Sequence, residues 1–401
     1  MPMFLRKIKH AIVVWLMKTL SALSPGATHR AFVGSGSAAQ LCRHILRSGA
    51  RRILIVTDKP LRELGVADQA AAVLLEADVE VAFYDGVQPD PTYEQVAAGV
   101  AIARARGVEA ILAIGGGSSI DAAKIIAASA TSDEDPASWV GFGKVKHEVL
   151  RLFVIPTTSG TGSEATMGAV ISDPVSHEKG IISGATLLPL AVALDSDLML
   201  GLPAHITAAT GMDALTHAIE AYIGVWERGT RLQDARMAVK LVFDNLAAAC
   251  RDGSNREARD GMAMGAYYAG LAINQVNVGN VHAIAHQLGG KYGIPHGLAN
   301  ALVLPHVLEF CREESASRLA ELALLLDLGG AAEGEGQLAH KFIQAVRNLR
   351  TEVGIPDHSD KLRREDFPYL AELAVAEGEG YPVPRLLDRQ SVLTILERIA
   401  G

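Results

Sequence analysis

Cysteine is scarce in this chain. Its 401 residues hold three, Cys42, Cys250 and Cys311, far apart and with no CxxC pair. That sets aside a disulfide framework and a thiolate metal site, and it points to a reducing, cytoplasmic setting. Cationic excess is also missing, since 37 Lys and Arg stand against 45 Asp and Glu for a net charge of −8. A nucleic-acid surface needs a basic stripe, so that class of partner is excluded. There is no internal repeat, no low-complexity tract and no GxGxxG dinucleotide fingerprint. The apolar run Ala11 to Met17 is too short to span a bilayer, and Lys18 ends it.

What is present fits a globular protein: 49% apolar and 20% charged residues, and enough length for two domains. Residues 1–30 read as an extension. Arg6, Lys7 and Lys9 precede the short apolar run, and small residues follow it. Secretory signals share those features, but the apolar core is at the minimum length. The segment reads as an amphipathic helix packed on the protein, on a partner or loosely on a membrane surface.

Residues 31–202 alternate strand and helix. Strands are expected over Arg52–Thr57, Val79–Tyr84, Ala110–Ile114 and Leu150–Ile155. Helices are expected over Ala67–Ala77, Tyr93–Arg106 and Ser119–Ala130. Such alternation implies an α/β domain with a parallel, Rossmann-like sheet. Residues 203–401 change character. Helical spacing recurs over Ala204–Tyr222, Arg231–Ala249, Arg256–Ile273, His282–Leu288, Ala316–Leu326 and Gln337–Val353, and strand signals almost vanish. An all-α second domain is expected, with a substrate cleft between the two.

Two polar loops follow expected strands. In Ala110-Ile-Leu-Ala-Ile-Gly115-Gly-Gly117-Ser118-Ser119-Ile-Asp121, glycines let the backbone approach a bulky anion, and the next helix offers free N–H groups. A tight βα turn, with Ser118 as N-cap and Asp121 closing a capping box, explains the same residues. The second loop, Thr157 to Glu164, packs five hydroxyls and two glycines into eight residues. It suits a ribose or a nicotinamide amide, or simply caps a helix. Two such loops on neighbouring strands favour a shared ligand. Asp58 ends a strand, where a carboxylate holds ribose hydroxyls and repels a 2′-phosphate, which favours NAD; a plain turn aspartate is the alternative.

Asp213 and His217 stand four apart, on one face of an expected helix. Alone, the pair is equally well a buried aspartate bonded to a histidine. His282 and His286 repeat that spacing, and His296 follows in the turn-like segment Gly293-Ile-Pro-His-Gly297. One carboxylate and three imidazoles suit Fe(II) or Zn(II) and are poor for Mg(II) or Ca(II). Five groups compete for four places, so spacing does not choose between His282 and His286. His10, His29, His44, His147, His177, His205, His340 and His358 are scattered and read as structural or solvated; His306, in Leu304-Pro-His-Val, reads as core, with a place behind the metal ligands as the alternative.

Together these segments resemble the iron-containing (group III) alcohol dehydrogenase family, from Ala31 to about Val353. The motifs are GGGSSIDAAK (Gly115–Lys124), PTTSGTGSE (Pro156–Glu164), GMDALTHAIEAY (Gly211–Tyr222) and NVHAIAHQLGGKYGIPHG (Asn280–Gly297). The resemblance implies an NAD-binding α/β domain plus a helical metal domain, an architecture similar to dehydroquinate synthase. It implies metal ligands Asp213, His217, His282 and His296, with His286 unliganded near nicotinamide and substrate as a proton relay. It implies cofactor contacts at Asp58, Gly116, Gly117, Ser118, Thr157, Thr158, Thr161, Thr166 and Lys179. It also implies NAD(H)-linked interconversion of a small alcohol and its aldehyde or ketone, Fe(II) or Zn(II), and a homodimer or larger assembly. Two positions depart from the family pattern. Asp90 replaces the usual Asn at one cofactor contact, and Ile273 replaces a frequent pocket aromatic. A metal-dependent lyase or cyclase on the same scaffold would need a cluster of Lys and Arg, and the second metal motif has none. A non-catalytic metal- or nucleotide-binding protein is the remaining rival.

Overall fold

A computed structural model of the chain describes residues 3–23, 29–174, 179–226 and 232–401. His177 and Arg231 lie outside the described residues. The chain forms two compact units, residues 27–202 and residues 1–26 with 203–401.

Among the described residues the first unit has nine strands: β1 (Arg30–Val33), β2 (Arg52–Asp58), β3 (Glu80–Val87), β4 (Ala110–Gly115), β5 (Gly141–Phe142), β6 (Arg151–Pro156), β7 (Gly168–Ser172), β8 (Lys179–Ser183) and β9 (Ala191–Leu194). Six of them make one parallel sheet in the order β1-β9-β6-β4-β2-β3. Ile53 to Val56 and Ala110 to Ile114 are all at most 1% exposed, so both faces of the central strands are covered. That double burial is why they read as unbroken apolar runs rather than alternating ones. On one face Ile53, Ile55, Leu112 and Ile114 join a core with Leu41, Ile45 and Leu74 from the helices Ser37–Arg47 and Val66–Leu75. Strands β4 and β6 are neighbours, with Gly115 opposite Pro156, so the glycine turn and the threonine loop leave the sheet side by side.

A second, small sheet, β5-β8-β7, is not anticipated from the sequence; in it β7 and β8 run antiparallel. Its strands are two to five residues long, too short for a period-2 pattern to register.

The second unit is helical: Ala204–Ile223, Gln233–Arg251, Arg256–Val276, Asn280–Tyr292, His296–Phe310, Ala316–Leu325, Glu335–Glu352, Phe367–Gly378 and Arg389–Ile399, together with Met3–Leu23. Every residue from Gly211 to Ile223 is buried, so the first of these helices is covered on all sides, its polar Asp213, Thr216, His217 and Glu220 included. His296, expected in a turn, instead opens a 15-residue helix with Pro295 at its N-cap. Gly297 disguised that start, since glycine is a poor helix former. It is required because a side chain there would run into the carbonyl oxygen of Ala209. The close approach brings His296 to the helix that carries Asp213.

His306 is core, as expected, at 9% exposure. Burial and the charges of Arg347, Arg350 and Arg398 push its imidazole down to about 4. Its usual value is 6.5, so below that pH the unfolded chain takes the proton and the folded one resists it. Stability present near neutrality is therefore lost as pH falls from about 6.5 towards 4, by about 3 kcal/mol from this residue. His306→Leu is expected to flatten that part of the acid dependence, measured by urea unfolding at pH 7 and pH 4.5. An unchanged acid slope would contradict the assignment.

Candidate active site

Four side chains on three helices converge in the helical unit. One ligand atom each from Asp213, His217, His282 and His296 lies within 4.8 Å of the others. Asp213 and His217 come from the Ala204–Ile223 helix, His282 from Asn280–Tyr292, and His296 from the first turn of His296–Phe310. The imidazoles of His217 and His282 stack at 4.6 Å, and Asp213 Oδ1 lies 3.4 Å from His296 Nε2. Three of the four side chains are buried and His296 is half-buried.

The supporting groups explain the orientation. Glu220 sits seven residues after Asp213 on the same helix and is 3% exposed. It accepts hydrogen bonds from Gly279 N–H (2.8 Å) and Val281 N–H (2.6 Å), and its Oε2 lies 2.6 Å from His282 Nδ1. Burial pushes this carboxyl up, to about 8, while those donors pull against it. With Nδ1 held by Glu220, the lone pair of His282 Nε2 is turned into the cluster. Burial, then the neighbouring His217, His296 and His286, hold the His282 imidazole well below its usual range, so it is a neutral donor. Asn300, fully buried, places its amide nitrogen 2.6 Å from Asp213 Oδ1 and 3.2 Å from the Nε2 atoms of both His282 and His296. A dry cluster of one carboxylate and three imidazoles is electron-rich, and its chemistry fits a divalent Fe or Zn ion.

His286 falls outside the four. Its Nδ1 lies 2.6 Å from Glu377 Oε1, which also accepts from Tyr381 O–H (2.6 Å). Its ring stacks on His296 at 5.3 Å. Spacing left His282 and His286 equivalent; the structure separates them through their acid partners, Glu220 for one and Glu377 for the other.

In the α/β unit the two polar loops are built against each other. The capping reading of Ser118 and Asp121 does not hold. Gly116 is the N-cap of the helix Gly117–Ser129 and makes no side-chain cap bond. Asp121 instead accepts from Ser163 O–H and from Val170 N–H. The first-turn N–H groups of this helix therefore have no side-chain cap, the arrangement that receives a phosphate. A Cβ at Gly117 would lie 2.7 Å from Thr161 Cγ2, so the turn needs glycine to pass the threonine loop. Thr157 N–H donates to Gly115 C=O at 3.0 Å, tying the loop starts together. Thr157 is buried, while Thr158, Thr161 and Thr166 are half-buried. Thr166 Oγ1 is already engaged by Lys124 Nζ at 3.1 Å.

Asp58 caps the short helix Lys59–Glu63, Oδ1 accepting from Leu61 N–H at 2.9 Å. Lys179, expected at the cofactor, pairs with Asp90 at 2.6 Å. Asp90 adopts φ 54°, a left-handed conformation that Asn and Asp tolerate best. The substitution at that position has thus given the lysine an anionic partner. Sequence reasoning missed Glu220, Asn300, Lys124 and Glu377. Glu220 carried a signal, an acid in a helix otherwise apolar on every face; Glu377 carried none.

A parallel nucleotide-type sheet and a mostly buried Asp–His₃ cluster occur within one chain. Comparison with known proteins supplies the class. Residues 28–196 match the family model for iron-containing alcohol dehydrogenase, and residues 207–400 match the model for the C-terminal part of the Fe-containing alcohol dehydrogenase family. The 1,3-propanediol dehydrogenase of Klebsiella pneumoniae is 38% identical over 354 residues, 87% of this chain and 92% of that protein. Alcohol dehydrogenase 4 of Saccharomyces cerevisiae is 36% identical over 371 residues, 92% of this chain and 96% of that protein. A crystal structure of 1,3-propanediol oxidoreductase superimposes with a TM-score of 0.90 at 37% identity, covering 92% of this chain and 97% of that one. The chain belongs to the iron-containing alcohol dehydrogenase family.

Glu220→Gln places an amide N–H₂ opposite a donor and loosens His282. We expect divalent-metal affinity to fall about tenfold to a hundredfold with the helical content intact. Competition with a chromophoric chelator reads this directly, and an unaltered affinity would remove Glu220 from that role.

Proposed function

We propose that this enzyme interconverts a small alcohol with its aldehyde or ketone using NAD(H), with one divalent ion, Fe(II) or in its place Zn(II), held by Asp213, His217, His282 and His296. The observation that carries this reading is the convergence of those four donor atoms within 4.8 Å in a buried site. When bound, the ion supplies Lewis acidity to a substrate oxygen and the nicotinamide supplies a hydride acceptor or donor.

The chain's own groups do the rest. Gly116, Gly117 and Ser118 offer backbone N–H groups to the pyrophosphate, and Thr157, Thr158, Thr161 and Thr166 line the other side of that cradle. Asp58 keeps one carboxylate oxygen on its helix cap, leaving the second for a ribose hydroxyl; this favours NAD over its 2′-phosphorylated form. Lys179 contributes to the cofactor only by giving up part of its pairing with Asp90. His286 holds a proton at Nδ1 against Glu377 and exchanges a second at Nε2, the relay for the alcohol hydroxyl. Ile273, half-buried on the Arg256–Val276 helix, replaces an aromatic with a smaller side chain and supports a roomier substrate pocket. Three free thiols go with the cytoplasm, and the family likeness supports a homo-oligomer.

Removal of one ligand tests the reading. His217→Ala, purified without oxygen, is expected to lose stoichiometric metal and at least about a thousandfold of alcohol-dependent NADH formation, while NAD affinity stays within about twofold. Full metal occupancy in that variant would refute the ligand set. A metal-free variant together with a wild type that reduces no NAD with any alcohol would refute the reaction.

A further inference from the structure

The Met3–Leu23 helix is amphipathic, and the side that docks carries Arg6 and His10 together with half-buried Val13 and Val14. Arg6 Nε pairs with Glu379 at 2.6 Å, Arg6 Nη2 donates to Leu387 C=O at 2.9 Å, and Lys9 Nζ lies 3.4 Å from the same glutamate. His10 Nε2 lies 3.0 Å from Tyr381 C=O. The opposite side is apolar and open: Phe4 70% exposed, Leu5 47%, Ile8 43%, Ile12 60%, Trp15 68% and Leu16 48%. At 100° per residue these six side chains occupy an arc of about 120°. Ordinary amphipathic helices put such a face inward. Leaving it in water is costly unless something covers it.

The charges say what covers it. The helix carries Arg6, Lys7, Lys9 and Lys18 and no acid, within a chain of net charge −8. Lys7 and Lys18 project along one edge of the apolar arc and Lys9 along the other. An apolar strip with an aromatic, edged on both sides by lysines, matches a helix lying in the plane of a bilayer. The strip sinks among the acyl chains, and the ammonium groups stay with the phosphates. The helix does not span: no described helix is long and apolar enough to cross a membrane. A second copy is a poorer occupant, because it would bring the same lysines to the same edges. The segment lies before the residues matched by the family models.

We propose that Met3–Leu23 is an in-plane anchor that holds this dehydrogenase on an anionic lipid surface. The test is co-sedimentation of the full chain with vesicles of phosphatidylcholine and phosphatidylglycerol. Binding is expected there, at least about fivefold weaker on phosphatidylcholine alone and weakened by salt. Trp15 is expected to blue-shift and to be quenched by brominated acyl chains, because the other tryptophans, Trp139 and Trp226, are buried. Ile8→Glu with Ile12→Glu leaves the docked side untouched. It should cut partitioning more than tenfold while alcohol dehydrogenase activity and metal content stay unchanged. No binding to anionic vesicles, or equal partitioning of variant and wild type, overturns the proposal. So does a smaller mass of the variant in light scattering without lipid, which would assign the face to a second copy. None of these readouts depends on which alcohol is oxidised.

Discussion

One buried carboxylate organises the metal centre. Glu220 takes two backbone N–H groups and one imidazole nitrogen from the start of the Asn280–Tyr292 helix. Its own helix carries Asp213 and His217. The bond therefore fixes the rotation and axial position of one helix against another, and the two sets of donors meet as a consequence. Burying an unpaired carboxylate would cost several kcal/mol, which explains why every strong donor in reach is turned towards it. The backbone N–H groups it collects are first-turn donors with no partner inside their own helix, so one side chain both caps the helix and holds the His282 ring.

The α/β unit uses the same device with the opposite charge. Lys124 is fully buried on the helix after the glycine turn. Its ammonium donates to Ser163 Oγ at 3.0 Å, Thr166 Oγ1 at 3.1 Å and the Gly168 carbonyl at 2.5 Å. Asp121, one turn earlier, holds Ser163 from the other side and lies 3.9 Å from the amine. Burial lowers the lysine to about 8 and raises Asp121, and each partly offsets the other's desolvation. The threonine loop is thus shaped by the helix it faces. The Asp and Lys of GGGSSIDAAK exist for PTTSGTGSE, so neither motif is a cofactor cradle by itself.

That coupling marks where the sequence was legible and where it was not. Strand β2 was readable from RILIVT because double burial removes polar residues, and the Ala204–Ile223 helix from its unbroken apolar content. Asp213 and His217 stood out as polar residues in that content. The choice between His282 and His286 was not readable, since both repeat a four-residue spacing on one helix. What distinguishes the two rings is their acid partners, Glu220, 62 residues from His282, and Glu377, 91 residues from His286. The capping box suggested for Ser118 and Asp121 failed for a similar reason. A local partner was assumed, and a distant serine and a backbone N–H took the carboxylate. Local pattern finds candidates, whereas long-range hydrogen bonds assign their roles.

The Met3–Leu23 helix exposes a different gap. Helical periodicity divides a segment into two faces without saying which turns inward, and the usual assumption sends the apolar face to the core. Here the body offers a carboxylate and two carbonyl oxygens at the docking place, so the cationic face is the one that fits. Leaving the strip open forgoes its burial, worth about 25 cal/mol for each Å² of apolar surface kept in water. Ion pairs as exposed as that of Lys9 return a small part of that. Within the isolated chain the apolar strip stays in water, and a surface outside the chain is what would remove it. The polar docking keeps that strip presented, and the lysines at its edges set the sign of the surface that can receive it.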